Sequence, residues 1–258
     1  GAGTGTFNLV DNETDSFGDL LPGTYTLTEV IPTEWEFYSA TCDSADFPNG
    51  GSIEVSAGET VSCEFNNTQK GKITIAKVTD PEGSNQLFTF NPSWTDSFQL
   101  SDGQSEVSGY LSPDTYSVTE SSVSGWDLDD VICSDDSTAN SIELGAGELI
   151  TCTFYNSQRV SVSGYKYEDI DGDTNTNEYL SNPVEGLIVQ LWKLIDVNFE
   201  NTNETDTTDS SGFYSFDNLL AGTYQVRENL SSLGSGWTNL SSTQTGDLVL
   251  GAGDTSEE

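Results

Sequence analysis

Apolar and polar residues alternate one by one along most of this chain. ITIAKVT (73–79), TYSVTE (115–120), ELITCTFYN (148–156), SVSGYKYE (161–168), LIVQLWK (187–193) and TYQVRE (223–228) all read this way. They are rich in Thr, Val, Ile and Tyr, as strands with one buried face are. Clusters of Gly, Asn, Asp and Ser separate them and mark turns. No stretch of about 10–12 residues carries the 3.6-residue spacing and caps of a helix. The pattern predicts an all-β chain of Greek-key β-sandwiches, with about seven short strands in each unit of ~90 residues.

The pattern also repeats. LLPGTYTLTE (20–29), LSPDTYSVTE (111–120) and LLAGTYQVRE (219–228) are three versions of one phrase. Between the first two copies a constant offset of 91 relates Phe7 to Phe98, Tyr25 to Tyr116, Glu29 to Glu120, Trp35 to Trp126 and Cys42 to Cys133. Such a gapless register marks tandem modules. The expected boundaries are 1–69, 70–158 and 159–258. Only the middle module is expected to be complete. The first lacks a counterpart of residues 70–91, which contain two strand-like runs. In the third, LGAGDTSEE (250–258) parallels LGAGELITC (144–152), so a final strand is missing. In the repeated phrase the Gly is expected to make a tight turn and the Tyr to open an inward-facing set of residues.

Composition narrows the function. Seven Lys and Arg face 43 Asp and Glu, a net charge of −36, which repels nucleic acid and anionic lipid and suits a saline or cation-rich medium. His is absent, which excludes histidine acid/base chemistry and zinc–imidazole sites. Met is absent even at position 1, as expected of a processed chain or a window of a longer one. No apolar run approaches the roughly 18 residues of a membrane span, and these residues hold no signal peptide; any such segments are expected outside this window. The four cysteines fall two to a module, so Cys42–Cys63 and Cys133–Cys152 are the expected disulfides. Each closes a loop worth roughly 3 kcal/mol and implies an oxidising, extracellular setting.

Strand parity exposes an anomaly in the second module. Ile73, Ile75 and Lys77 share a face; so do Tyr116, Val118 and Glu120, and so do Cys152, Phe154 and Asn156. Each apolar face ends in a polar group: an amine, a carboxyl and an amide. Burying these groups apart would cost several kcal/mol each, so they are expected to meet. A desolvated Lys sheds its proton and becomes a nucleophile. A carboxyl with a raised pKa can shuttle that proton. Attack on the amide then expels ammonia and leaves a Lys–Asn isopeptide bond between first and last strands. The run ITIAKVTD, the GxYxLxE-like phrase and the terminal TFYN resemble the prealbumin-like, collagen-adhesin B-type repeats (Ig-like domains) of prokaryotic surface proteins. That resemblance implies a self-formed cross-link at Lys77, Glu120 and Asn156. The first module holds Glu29 and Asn67, with its lysine partner expected before residue 1. The third holds Glu228; its Lys166 shares parity with Val160 and Val162 but matches the pattern poorly.

Residues 165–191 resemble the start of the B repeats of serine-aspartate surface proteins, where an acidic loop joins two strands. Asp169, Asp171 and Asp173 alternate, and Asn175, Asn177 and Glu178 follow, an oxygen-rich run suited to Ca²⁺. Sequons at Asn12, Asn66, Asn203, Asn229 and Asn239 permit glycosylation. No constellation for turnover of an external substrate is present. The chain is therefore expected to be structural: part of a stalk, adhesin or filament on a microbial surface, mechanically stiff. It would join adjacent modules or further copies of itself in a tandem array or by strand addition. The alternatives are a carbohydrate- or protein-binding module using exposed aromatics such as Trp35 and Trp94, or an accessory region of a secreted enzyme.

Overall fold

A computed structural model describes residues 5–169, 182–238 and 244–257. The fold is all-β. The helical content among the described residues is one 3-10 turn, Leu230–Leu233, and no helix there is long and apolar enough to cross a membrane. The backbone packs as two compact units. The first comprises Gly1–Thr74, Val107–Tyr116 and Ser141–Ile150; the second comprises Ile75–Glu106, Ser117–Asn140 and Thr151–Glu258.

The first unit contains β1 (Gly23–Thr26), β2 (Trp35–Cys42), β3 (Ala45–Asp46), β4 (Ser52–Val55) and β5 (Cys63–Gln69). β1 pairs with β4, and β2 lies between β3 and β5. Ala40, Cys42 and Phe47 form a small core, with Phe37 and Phe65 packed against it. The antiparallel register sets Cys42 directly opposite Cys63, and the two form a disulfide. A second antiparallel pair joins Asp114–Tyr116 (β10) to Ile142–Leu144 (β13).

In the second unit, β7 (Phe88–Pro92) lies between β8 (Phe98–Leu100) and β11 (Val118–Glu120). A four-stranded sheet has the order β12 (Trp126–Cys133), β14 (Leu149–Gln158), β6 (Lys72–Asp80), β9 (Ser105–Val107). Cys133 and Cys152 face each other across β12 and β14 and are bonded. The Lys72 amide donates to the Glu148 carbonyl before one end of β14, and the Lys77 side chain reaches Phe154 and Asn156 further along. β6 and β14 are thus neighbours running in the same direction.

The remaining strands are β15 (Val160–Tyr165), β16 (Ile188–Ile195), β17 (Asn198–Thr207), β18 (Phe213–Leu219), β19 (Gly222–Asn229), β20 (Leu248–Leu250) and β21 (Thr255–Glu257). They make two sheets, β18-β15-β21 and β17-β16-β19-β20. Their core draws Val160 and Val162 from β15 and Phe216 from β18. From the other sheet it takes Leu191 and Val226. Alternating side chains from both sheets meet in one apolar layer, which is the construction of a β-sandwich.

The thrice-written phrase has a different local role from the one its Gly suggested. Gly23 and Gly222 do not adopt positive φ, and Asp114 stands at the matching place in the second copy. The tyrosine closes the turn instead. Its hydroxyl donates to the carbonyl four residues upstream in every copy: Tyr25 to Leu21 at 2.7 Å, Tyr116 to Ser112 at 2.8 Å, Tyr224 to Leu220 at 2.6 Å. This is the tyrosine-corner device. Past the tyrosine the second copy changes sheets, since β10 pairs with β13 and β11 with β7. That switch carries Glu120 to the far end of the phrase and into the interior.

Candidate cross-linking centre

The period-two pattern of β6 sends Ile73, Ile75 and Lys77 inward, and all three are buried; the Lys77 side chain is 0% exposed. On β14 the same parity buries Cys152, Phe154 and Asn156. The carboxyl of Glu120 closes the group from β11, 2% exposed. The three polar ends converge. Lys77 Nζ donates to Asn156 Oδ1 at 2.6 Å, to the Phe154 carbonyl at 3.1 Å and to the Val78 carbonyl at 2.8 Å. Asn156 Nδ2 donates to Glu120 Oε1 at 2.6 Å, and Glu120 Oε2 lies 3.9 Å from Nζ.

The surroundings are buried and aromatic. Nζ stands 4.5 Å from the centroid of the Phe88 ring, which meets Trp126 edge-on at 5.3 Å. Phe90 meets Phe154 edge-on at 5.0 Å. Burial pushes the Lys77 ammonium down to about 8, although Glu120, Asp102 and Asp129 pull it back up. Burial likewise raises the Glu120 carboxyl, opposed by its bond from Asn156 and by Lys77. Both shifts favour an uncharged amine beside a protonated acid. Asp102 is held ionised nearby by the Gly83 and Thr79 amides, which donate to it at 2.7 and 2.6 Å.

The first module carries a partial version. Asn67 Nδ2 donates to Glu29 Oε1 at 2.5 Å. Glu29 Oε2 and Asn67 Oδ1, the atoms matching those that face Lys77 in the second module, are buried without hydrogen-bond partners among the described residues.

The third module departs from the sequence expectation. Lys166, which looked like a poor match, donates to Glu228 Oε1 at 2.8 Å. The sequence did hold the signal. Gln69-Lys70 precedes Lys77 at the spacing by which Gln158-Arg159 precedes Lys166. Tyr224 follows Lys166 by 58 positions where Tyr116 follows Lys77 by 39, and that added length shifts the other landmarks and hides the alignment.

Of the acidic-loop residues, Asp169 is described; Asp171, Asp173, Asn175, Asn177 and Glu178 lie outside the described residues. Among the sequons, Asn12, Asn66 and Asn203 are exposed. Asn229 is half-buried and accepts from Ser231, and Asn239 lies outside the described residues. Trp35 is exposed and Trp94 half-buried.

Residues 160–251 match the family described as SdrD B-like domain. No curated protein sequence matches the chain. Solved structures similar to it include a streptococcal ancillary pilin, 15% identical, covering 93% of this chain and 75% of that one at a TM-score of 0.33. The Bacillus anthracis TIE protein is 14% identical, covering 92% of this chain and 51% of that one at 0.34. The shaft pilin SpaA of Lactobacillus rhamnosus GG is 12% identical, covering 73% and 96% at 0.29. The likeness to SdrD B-like domains is thus carried by residues 160–251, which fold as the two-sheet, all-β unit described above.

Proposed function

We propose that this chain is a structural part of an extracellular surface stalk, filament or adhesin, and that its second module closes its own Lys77–Asn156 isopeptide bond. The role is structural, not enzymatic; the one reaction is a single intramolecular turnover. The observation that carries it is a buried amine held 2.6 Å from a buried amide, with a carboxyl bonded to that amide's nitrogen. The two disulfides, the extracellular chemistry they need and the SdrD B-like family of the last module also support it.

The chemistry balances without an outside reagent. Neutral Lys77 Nζ attacks Asn156 Cγ while Glu120, in its acid form, polarises the amide. Glu120 then takes a proton from the attacking nitrogen and delivers one to Nδ2, which faces it already. The Cγ–Nδ2 bond breaks, ammonia leaves, and an Nζ–Cγ amide remains. Intact-mass measurement after disulfide reduction tests this. The chain is expected to weigh less than its sequence by one ammonia, and Asn156→Ala and Glu120→Ala chains to show no loss. An unmodified wild-type mass would refute the bond.

Assembly follows the same logic. Glu29 and Asn67 present the carboxyl and amide of such a centre, and a lysine-bearing strand from an adjacent module or a neighbouring copy would complete it. The acidic loop adds a Ca²⁺ site in this reading, from Asp169, Asp171, Asp173, Asn175, Asn177 and Glu178, and its support is the alternation of oxygen donors in the sequence. Calcium in millimolar amounts is expected to raise the melting temperature relative to a chelator, and an unchanged melt would remove the site.

A further inference from the structure

We infer that the second and third modules are held at one fixed angle by a two-sided clamp: the Gly253 turn seated on Gln158, and the Arg159 side chain stretched between Asp127 and the Asn218 carbonyl. The clamp is independent of any cross-link at Lys77.

Domains joined by a linker swing against each other by default. Here there is almost no linker. β14 ends at Gln158 and β15 begins at Val160, so Arg159 alone lies between the two strands. Its backbone is tied to the second module, since its amide donates to the Gly125 carbonyl at 2.9 Å. The freedom left is a swing of β15 as it enters the third module. β15 is the middle strand of its sheet, with β18 on one flank and β21 on the other. Both flanks are fastened. On the β21 side, the Gly253 amide donates to the Gln158 carbonyl at 3.1 Å. The same turn lies close against Pro81, whose ring would stand 3.0 Å from a Cβ on Gly253. On the β18 side, Arg159 Nη1 donates to the Asn218 carbonyl at 2.9 Å, while Nη2 donates to Asp127 Oδ1 at 2.7 Å. One planar guanidinium fixes both bonds together. A tilt toward either flank stretches the bond on the other.

The junction between the first and second modules repeats this plan with other side chains. The Lys70 amide donates to the Glu34 carbonyl at 2.8 Å, as that of Arg159 does to Gly125. β6 enters the second module between β14 and β9. On the β14 side, the Gly147 amide donates to the Gln69 carbonyl at 3.0 Å. On the β9 side, Gly71 is bridged to Leu111, and the next residue, Ser112, donates its hydroxyl to Glu36. Glu34 and Glu36 stand 91 positions before Gly125 and Asp127. One acidic position therefore anchors the same flank twice, through a serine in one junction and an arginine in the other. The contact is kept while its chemistry changes, which marks it as a requirement of the joint and not an accident of packing.

Arg159 is 30% exposed, so its replacement leaves the apolar packing of each module in place. The test uses the full chain in solution. Residual dipolar couplings read on β7, β11 and β12 in the second module and on β16, β18 and β19 in the third are expected to fit one alignment tensor. In Arg159→Ala the two sets are expected to need separate tensors, with chemical shifts inside each module unchanged because both remain folded. Amide exchange gives a second reading. Gly253 and Gly58 hold the same place in the turns LGAG (250–253) and VSAG (55–58). The Gly253 amide is expected to exchange at least about tenfold more slowly than that of Gly58 and to lose this protection in Arg159→Ala. Separate tensors in the unaltered chain, or a Gly253 amide as fast as that of Gly58, would overturn the clamp. A common tensor that survives Arg159→Ala would overturn the part assigned to the arginine.

Discussion

Lys77 has given up water for three carbonyl oxygens, one aromatic face and one distant carboxylate oxygen. Its pKa near 8 and the raised one of Glu120 set a testable pH profile. An ion pair and a neutral amine–acid pair hold the same number of protons, so proton transfer within the site suffices between the two pKa values. Below the Glu120 value both groups are protonated and the amine is blocked. Above about 8 the amine is free but the acid form of Glu120 is lost. The rate of ammonia loss in freshly refolded chain is expected to be flat in between and to fall about tenfold per pH unit on either side. A rate that keeps climbing well above pH 8 would show that Glu120 is not the proton carrier. These three residues were legible from strand parity alone, because an amine, a carboxyl and an amide at the ends of apolar faces have few affordable places to go. Lys166 was not, because its alignment survives only across the eight positions after Gln158 and insertions displace the rest.

Among the elements, the glycine turns leading into the last strands matter more than the glycine of the repeated phrase. Gly147 and Gly253 have φ of +68° and +77°, and a Cβ on either would lie 2.6 Å from the side-chain oxygen of Gln69 or Gln158. Each amide also donates to the carbonyl of that same glutamine, at 3.0 and 3.1 Å. Gly58 has a similar φ of +78°, but a Cβ there meets nothing within 4 Å. The glutamine end can swing aside, but a Cβ on Gly253 would also lie 3.0 Å from the Pro81 ring, so Gly253→Ala is expected to cost up to about 1 kcal/mol more in urea unfolding than Gly58→Ala, where backbone strain acts alone. Equal losses would mean that these contacts contribute nothing. The strands themselves were readable from their alternation, and the disulfide pairs from the repeat. What the tyrosine does was not readable. A hydrogen bond from a hydroxyl to a carbonyl four residues back leaves no mark in a hydrophobic pattern, and the adjacent glycine offered a more familiar explanation.

At the scale of the molecule, 43 acidic side chains against seven basic ones make the folded state self-repelling. Two of the seven basic residues, Arg159 and Lys166, are committed to ion pairs with Asp127 and Glu228. Raising NaCl from low concentration toward ~1 M shortens the screening length to about 3 Å. The melting temperature is expected to rise with it, and a fall would mean that these few ion pairs outweigh the repulsion. The all-β class and the acidity were plain from composition and period, and strand parity foretold the meeting of first and last strands; the structure adds that β6 lies beside β14 and runs the same way. That adjacency has a consequence for a chain under load. A pull on the two ends of the second module enters on β6 and leaves on β14, which lie side by side. Once Lys77 is joined to Asn156, the 79-residue separation between them is short-circuited, and the contour length between those points contributes no slack. The segment would then transmit tension like an inextensible link, and whatever yields first must lie elsewhere along the tether.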